Sequence, residues 1–168
     1  MKKLIMLMIG MLFLISCSGG APGKFQVEVA EGVKFPDFQV KSVDGKETFK
    51  STDILKKDKK TLFVIAAEWC PHCRDEAIEI QAFYEKHKDE ANVVVIYSAH
   101  NSSPEVVAEY LAKNKYTFPA YYDYNNIFLD GTGLEAFPFN VIIGKDGKIA
   151  EVVDGELNYD TLVEKLTK

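Results

Sequence analysis

The chain has 168 residues, 47% of them apolar, which is enough for one domain with an ordinary core and too few for two. Its 20 basic and 25 acidic side chains leave a formal charge of −5, a poor match for nucleic acid, whose phosphates need grouped Lys and Arg. The three cysteines, Cys17, Cys70 and Cys73, are too few for a disulfide-stapled scaffold, and their placement suggests two separate tasks.

Lys2 and Lys3 precede an apolar run from Leu4 to Ile15, broken only by Gly10. Twelve helical residues rise about 18 Å, short of the ~30 Å hydrocarbon core, so this run reads as a signal-peptide core rather than a spanning helix. It ends in Leu14-Ile15-Ser16-Cys17, which resembles a bacterial lipobox; such a cysteine is lipidated and the leader is cut just before it. Residues 1–16 are therefore expected to be a lipoprotein signal peptide. Residues 17–33, opening on the small polar run Ser18 to Gly23, are expected to be the lipidated cysteine and a flexible tether. The folded domain is expected over 34–168.

Phe38 to Val43 alternates apolar and polar as a half-buried strand does, Asp44-Gly45 signals a hairpin, and Lys46 to Phe49 returns as its partner. Thr61 to Ala66 is a continuous apolar run bounded by charge, the pattern of a strand buried on both faces. Pro71 opens a helix to about Lys88 with Ala77, Ile80, Phe83 and Tyr84 inward and its Glu and Lys residues outward. Asn92 to Ser98 is a second buried strand. Ser102 and Glu105 have capping-box spacing before a helix carrying Val106, Val107, Tyr110 and Leu111 on one side. A short strand over Phe118 to Tyr122 and an ill-defined piece over Asn125 to Leu129 follow. Phe139 to Ile143 and Ile149 to Val153 form a closing hairpin around Lys145 to Lys148, and Asn158 caps a last helix that buries Leu162, Val163 and Leu166. Strands alternating with helices, then a terminal hairpin, describe an α/β fold around one mixed sheet.

Trp69-Cys70-Pro71-His72-Cys73 carries the chemistry. Two cysteines three apart on the first turn of a helix can close a disulfide with little backbone movement. Free N–H groups and the helix dipole favour a thiolate on the first, making Cys70 the nucleophile. Cys73, one turn further in, resolves the mixed disulfide, and Pro71 fits the helix start because its missing N–H costs nothing there. A c-type haem would need His directly after Cys73, where Arg74 stands, and a structural zinc would need two further ligands.

The stretch from about Phe35 to the end resembles the thioredoxin superfamily, and most its TlpA/ResA-type extracytoplasmic branch. Phe35-Pro36-Asp37-Phe38 and Asp44-Gly45-Lys46 resemble that branch's N-terminal hairpin, Glu68-Trp69-Cys70 its approach to the active site, and Phe137-Pro138 with Val141 to Ile149 its cis-proline loop and closing hairpin. The βα material between Ser102 and Leu129 resembles its insertion before that loop. The resemblance implies a thioredoxin-like sandwich, a central mixed sheet flanked by helices. It further implies a cis Pro138 facing Cys70, a Phe137 backbone that pairs with an extended substrate peptide, and an apolar rim from Trp69. No metal or cofactor is implied. The chain departs from thioredoxin at Val64, which replaces a buried Asp, leaving water or Glu68 to take the Cys73 proton; Glu68 reads more simply as a solvated charge. His87 and His100 show no partners and read as surface residues.

These features describe a membrane-anchored thiol–disulfide oxidoreductase outside the cytoplasm, held by lipid on Cys17, acting on protein thiols and disulfides and recharged by a membrane electron carrier. Branch resemblance favours a reductase. Pro71-His72 resembles the dipeptide of dithiol oxidases, since His72 favours the Cys70 thiolate and so raises the potential. A peroxidase of the peroxiredoxin branch is weakened by Ala67, which stands where Thr or Ser is required. A metal-delivery lipoprotein is weakened because all four methionines lie in the leader.

Overall fold

A computed structural model describes residues 25–134 and 136–168. The elements run β1 (Gln39–Ser42), β2 (Thr48–Lys50), α1 (Ser51–Ile54), β3 (Thr61–Ala66), α2 (Pro71–His87), β4 (Asn92–Ser98), α3 (Pro104–Asn114) and β5 (Ala120–Asp123). A short 3-10 turn leads into α4 (Ile127–Thr132), followed by β6 (Phe139–Ile143), β7 (Ile149–Asp154) and α5 (Tyr159–Thr167). Seven strands form one sheet in the order β2-β1-β5-β4-β3-β6-β7. The β3–β4 and β4–β5 pairs are parallel; the others are antiparallel, which makes the sheet mixed as expected.

Strand alternation divides the central residues between two cores. Leu62 and Val64 pack with Ala77, Ile80 and Phe83 of α2 and Leu162 and Leu166 of α5. Phe63 and Ile65 face the other way, into a cluster with Phe25, Phe35, Phe38 and Phe128. With helices on one face and aromatic segments on the other, β3 has no solvent side, which is why it reads as an unbroken apolar run.

The ordered domain reaches back beyond the expected boundary at Lys34. Phe25 is buried, with its ring centroid 4.7 Å from Phe128 and 5.9 Å from Phe35. The Val27 N–H donates to the Gly131 carbonyl, and the Gly32 N–H to that of Ile149. A single aromatic in a Gly-rich stretch has no local periodicity to betray its burial. The expected leader and Cys17 lie outside the described residues.

Three local expectations change. Ser103, not Ser102, caps α3: its Oγ accepts the Val106 N–H, because Pro104 takes the first helical position and moves the cap to the residue before it. His87 is largely buried rather than on the surface, stacked on Phe83 and hydrogen-bonded to Glu90 at 2.8 Å and to the Tyr159 hydroxyl at 3.0 Å, which ties α2 to α5. The ill-defined piece after β5 resolves into the 3-10 turn and α4.

Candidate active site

The site forms where β3 ends and β6 begins. Because these strands are antiparallel, with Ile65 opposite Phe139, the end of β3 lies beside the start of β6. This pairing brings the loop of Phe137 and Pro138 up to Cys70, although Pro138 comes 68 positions later in the chain. Cys70 is the N-cap of α2, in extended conformation, and Pro71 opens the helix. Both cysteines are free thiols and both are buried.

The Cys70 thiol donates to the Phe137 carbonyl at 3.6 Å, and the Phe137–Pro138 bond is cis. Trp69 packs its ring edge-on to Phe137, with centroids 5.8 Å apart, and its Nε1–H donates to the His100 carbonyl at 2.9 Å. Trp69 remains 42% exposed, so it forms a rim rather than core. His72 Nδ1 lies 3.1 Å from Glu156 Oε2 in an exposed pair. Cys70, Cys73, Pro71, His72, Trp69, Phe137 and Pro138 thus come together around one helix start.

Cys73 is held differently from Cys70. Its Sγ accepts the Ala67 N–H at 3.5 Å, and burial pushes its thiol well above the ordinary range, with the neighbouring Cys70 and Glu76 adding to the rise. The Cys73 thiol therefore stays protonated until a base removes its proton.

Glu76, expected to face outward with the other Glu and Lys residues of α2, is instead 1% exposed. Its Oε1 accepts the Asn140 Nδ2–H at 2.7 Å and the Leu157 N–H at 3.0 Å, while burial pushes its carboxyl up to about 7. The signal was available in the spacing: Glu76 is three residues after Cys73 and shares the helical stripe of Ala77 and Ile80. Asn140 lies opposite Val64 on β6. Through Asn140, the Glu76 carboxyl of α2 sits beside the strand position that Val64 occupies.

Glu68 also departs from expectation. It is 5% exposed, its Oε2 has no hydrogen-bond partner among the described residues, and its carbonyl accepts the Arg74 Nε–H at 2.7 Å. The turn from Ala67 to Cys70 carries its side chain inward, within electrostatic reach of Tyr97 and Tyr122. His100 is exposed; its carbonyl accepts the Trp69 Nε1–H and its ring centroid lies 6.1 Å from that of Trp69.

The family described as Redoxin matches residues 30–165. Sporulation thiol-disulfide oxidoreductase A of Bacillus subtilis is 26% identical over 97% of this chain and 96% of its own length. Thiol-disulfide oxidoreductase ResA of Oceanobacillus iheyensis is 30% identical over 76% of this chain and 66% of its own. The crystal structure of StoA from Bacillus subtilis superposes with a TM-score of 0.66 at 25% identity, covering 77% of this chain and 95% of that one. A dithiol on a helix start facing a cis-proline loop, on this sheet and in this company, makes the chain a thiol–disulfide oxidoreductase that belongs to the Redoxin family, of the ResA/StoA-like kind within the thioredoxin superfamily.

Proposed function

We propose that this oxidoreductase works outside the cytoplasm as a lipid-anchored reductase of protein disulfides, with Cys70 as nucleophile, Cys73 as resolving thiol and Glu76 as the base that frees it. The observation that carries the chemistry is the buried Glu76 carboxyl, pushed up to about 7 one turn behind a Cys73 thiol that burial keeps protonated. A carboxylate with that affinity for protons accepts one near neutral pH and returns it readily.

In the reducing direction, Cys70 thiolate attacks a partner disulfide and displaces one partner sulfur as thiolate. Glu76 takes the proton of Cys73; the Cys73 thiolate then attacks the Cys70 sulfur and expels the second partner thiolate. The protein ends as a disulfide and the partner as a dithiol, so two electrons have passed. The Phe137 carbonyl beside Cys70 offers the partner backbone an acceptor in the same place. Trapping tests the division of labour: Cys73→Ser should accumulate mixed disulfides with partner proteins and Cys70→Ser should not. Equal trapping by both reverses or abolishes the assignment.

The anchor rests on Leu14-Ile15-Ser16-Cys17 after a short apolar run. No helix among the described residues is long and apolar enough to cross a membrane. Cells fed a labelled fatty acid should label the wild type and not Cys17→Ala; unlabelled wild type refutes the anchor. The poise rests on His72, which lies between the two cysteines and favours the Cys70 thiolate, so His72→Pro should have a lower potential than wild type. A membrane donor would then keep the pool reduced in cells. A pool found mostly oxidised by a thiol-reactive mass tag favours an oxidase instead.

A further inference from the structure

Among the described residues, the large apolar side chains left exposed are Trp69, Ile78 and Val106. Scattered singly they would mean nothing; all three line one groove of about 520 Å³ between α2 and α3. The groove begins at Trp69, whose ring packs on the Phe137 loop that faces the Cys70 sulfur, so it is continuous with the place where a partner's sulfur must arrive. It lies on the flank of α2 away from Glu76, whose side is covered by Asn140 and Leu157.

The walls are braced against each other and carry a small acidic excess. Arg74 of α2 bonds the Glu68 carbonyl and lies 5.9 Å from the Tyr110 ring of α3, which braces one wall against the other. Asp75 and Glu109 line the groove with Glu68, so carboxylates outnumber the two cations, Arg74 and Lys113. A second copy of this net-acidic chain is a poor electrostatic fit; a basic segment is a good one.

We infer that the α2–α3 groove holds the redox partner's polypeptide beside its reactive cysteine, and that it selects an aliphatic side chain accompanied by a lysine or arginine. This deepens the oxidoreductase reading and rests on it. The groove contributes affinity and register, while the exchange itself stays with Cys70 and Cys73.

The test uses reduced full-length protein and four oxidants: oxidised glutathione, and three synthetic decapeptides whose central cysteine is a mixed disulfide with glutathione. The peptides flank that cysteine with Leu and Lys, with Leu and Glu, or with Ser and Gly. In single turnover, wild type should reduce the Leu/Lys peptide with a second-order rate constant about tenfold above that for the Ser/Gly peptide, the difference lying in the peptide concentration at half-saturation. The double variant Ile78→Ser, Val106→Ser, changed only at exposed positions, should lose that preference while reducing oxidised glutathione at the wild-type rate. Glu68→Gln should shrink the preference for Leu/Lys over Leu/Glu and leave that for Leu over Ser. Equal wild-type rates on all three peptides, or a preference that survives the double variant, overturns the groove. A wild type that cannot reduce oxidised glutathione would instead strike the oxidoreductase reading beneath it.

Discussion

At the scale of single residues, the site depends on where two carboxyls and two thiols sit relative to water. Cys70 and Cys73 are three positions apart, yet only Cys73 has Glu76 one turn behind it on the same buried stripe. Burial raises the Glu76 carboxyl from 4.5 to about 7, so its ionisation opposes folding. A raised carboxyl stabilises the fold fully below its unfolded value and loses that contribution as pH climbs through the folded one. The wild type should therefore lose about 3 kcal/mol of unfolding free energy between pH 4.5 and 7 from this group. Glu76→Gln should remove that slope in denaturant titrations. It should also remove the rise, centred near pH 7, in the rate at which Cys73 releases a mixed disulfide. A variant that keeps both pH dependences would show that another group is the base. Spacing made the dithiol legible directly and put Glu76 on the inward stripe, but the partners that hold its carboxyl, Asn140 64 positions away and Leu157 81 away, came only with the fold.

At the scale of elements, the pieces with strong periodicity were legible and the short ones were not. β3, β4, α2 and α5 lie where apolar runs and helical stripes place them, and Asn158 does cap α5, accepting the Thr161 N–H at 2.9 Å. The segment after β5 has no such pattern. Asn125 and Asn126 both take left-handed backbone, at φ 67° and 53°, which Asn tolerates better than most residues. The buried Asp123 carboxylate accepts the N–H groups of Phe128 and Leu129 at about 3.0 Å, closing the start of α4 from several residues upstream. Burial raises the Asp123 carboxyl, its hydrogen bonds to the backbone opposing that rise. Asp123→Ala should unanchor α4 and lower unfolding free energy by up to about 2 kcal/mol, measured by chemical denaturation. Asp123→Asn, which keeps one acceptor, should lose less. Equal losses would place the effect in packing rather than in the cap.

At the scale of the whole molecule, two cores on opposite faces of one sheet hold the strand ends that meet at the dithiol. The second core is largely aromatic and includes Phe25, which lies outside the expected domain. Phe25→Ala should cost about 3 kcal/mol in denaturant unfolding, as truncation of a buried Phe does, with oxidised-glutathione exchange by the remaining folded protein unchanged. A loss near zero would return residues 25–33 to the status of tether.

What the sequence determined by itself is what neighbouring residues impose on one another. Apolar alternation and helical stripes set the α/β class, and Pro71 after Cys70 set the helix start. The Cys70–Cys73 spacing set the redox chemistry. The tertiary structure alone decided which charges lose water and what meets across the sheet. Glu68 and Phe25 are unremarkable in the chain, because burial is a property of partners brought in from distant strands and helices. The apposition of Cys70 and Phe137 likewise exists only because β6 runs antiparallel to β3. Local pattern carries the free energy of forming an element; the desolvation that raises a carboxyl or orphans an oxygen arises only when elements pack.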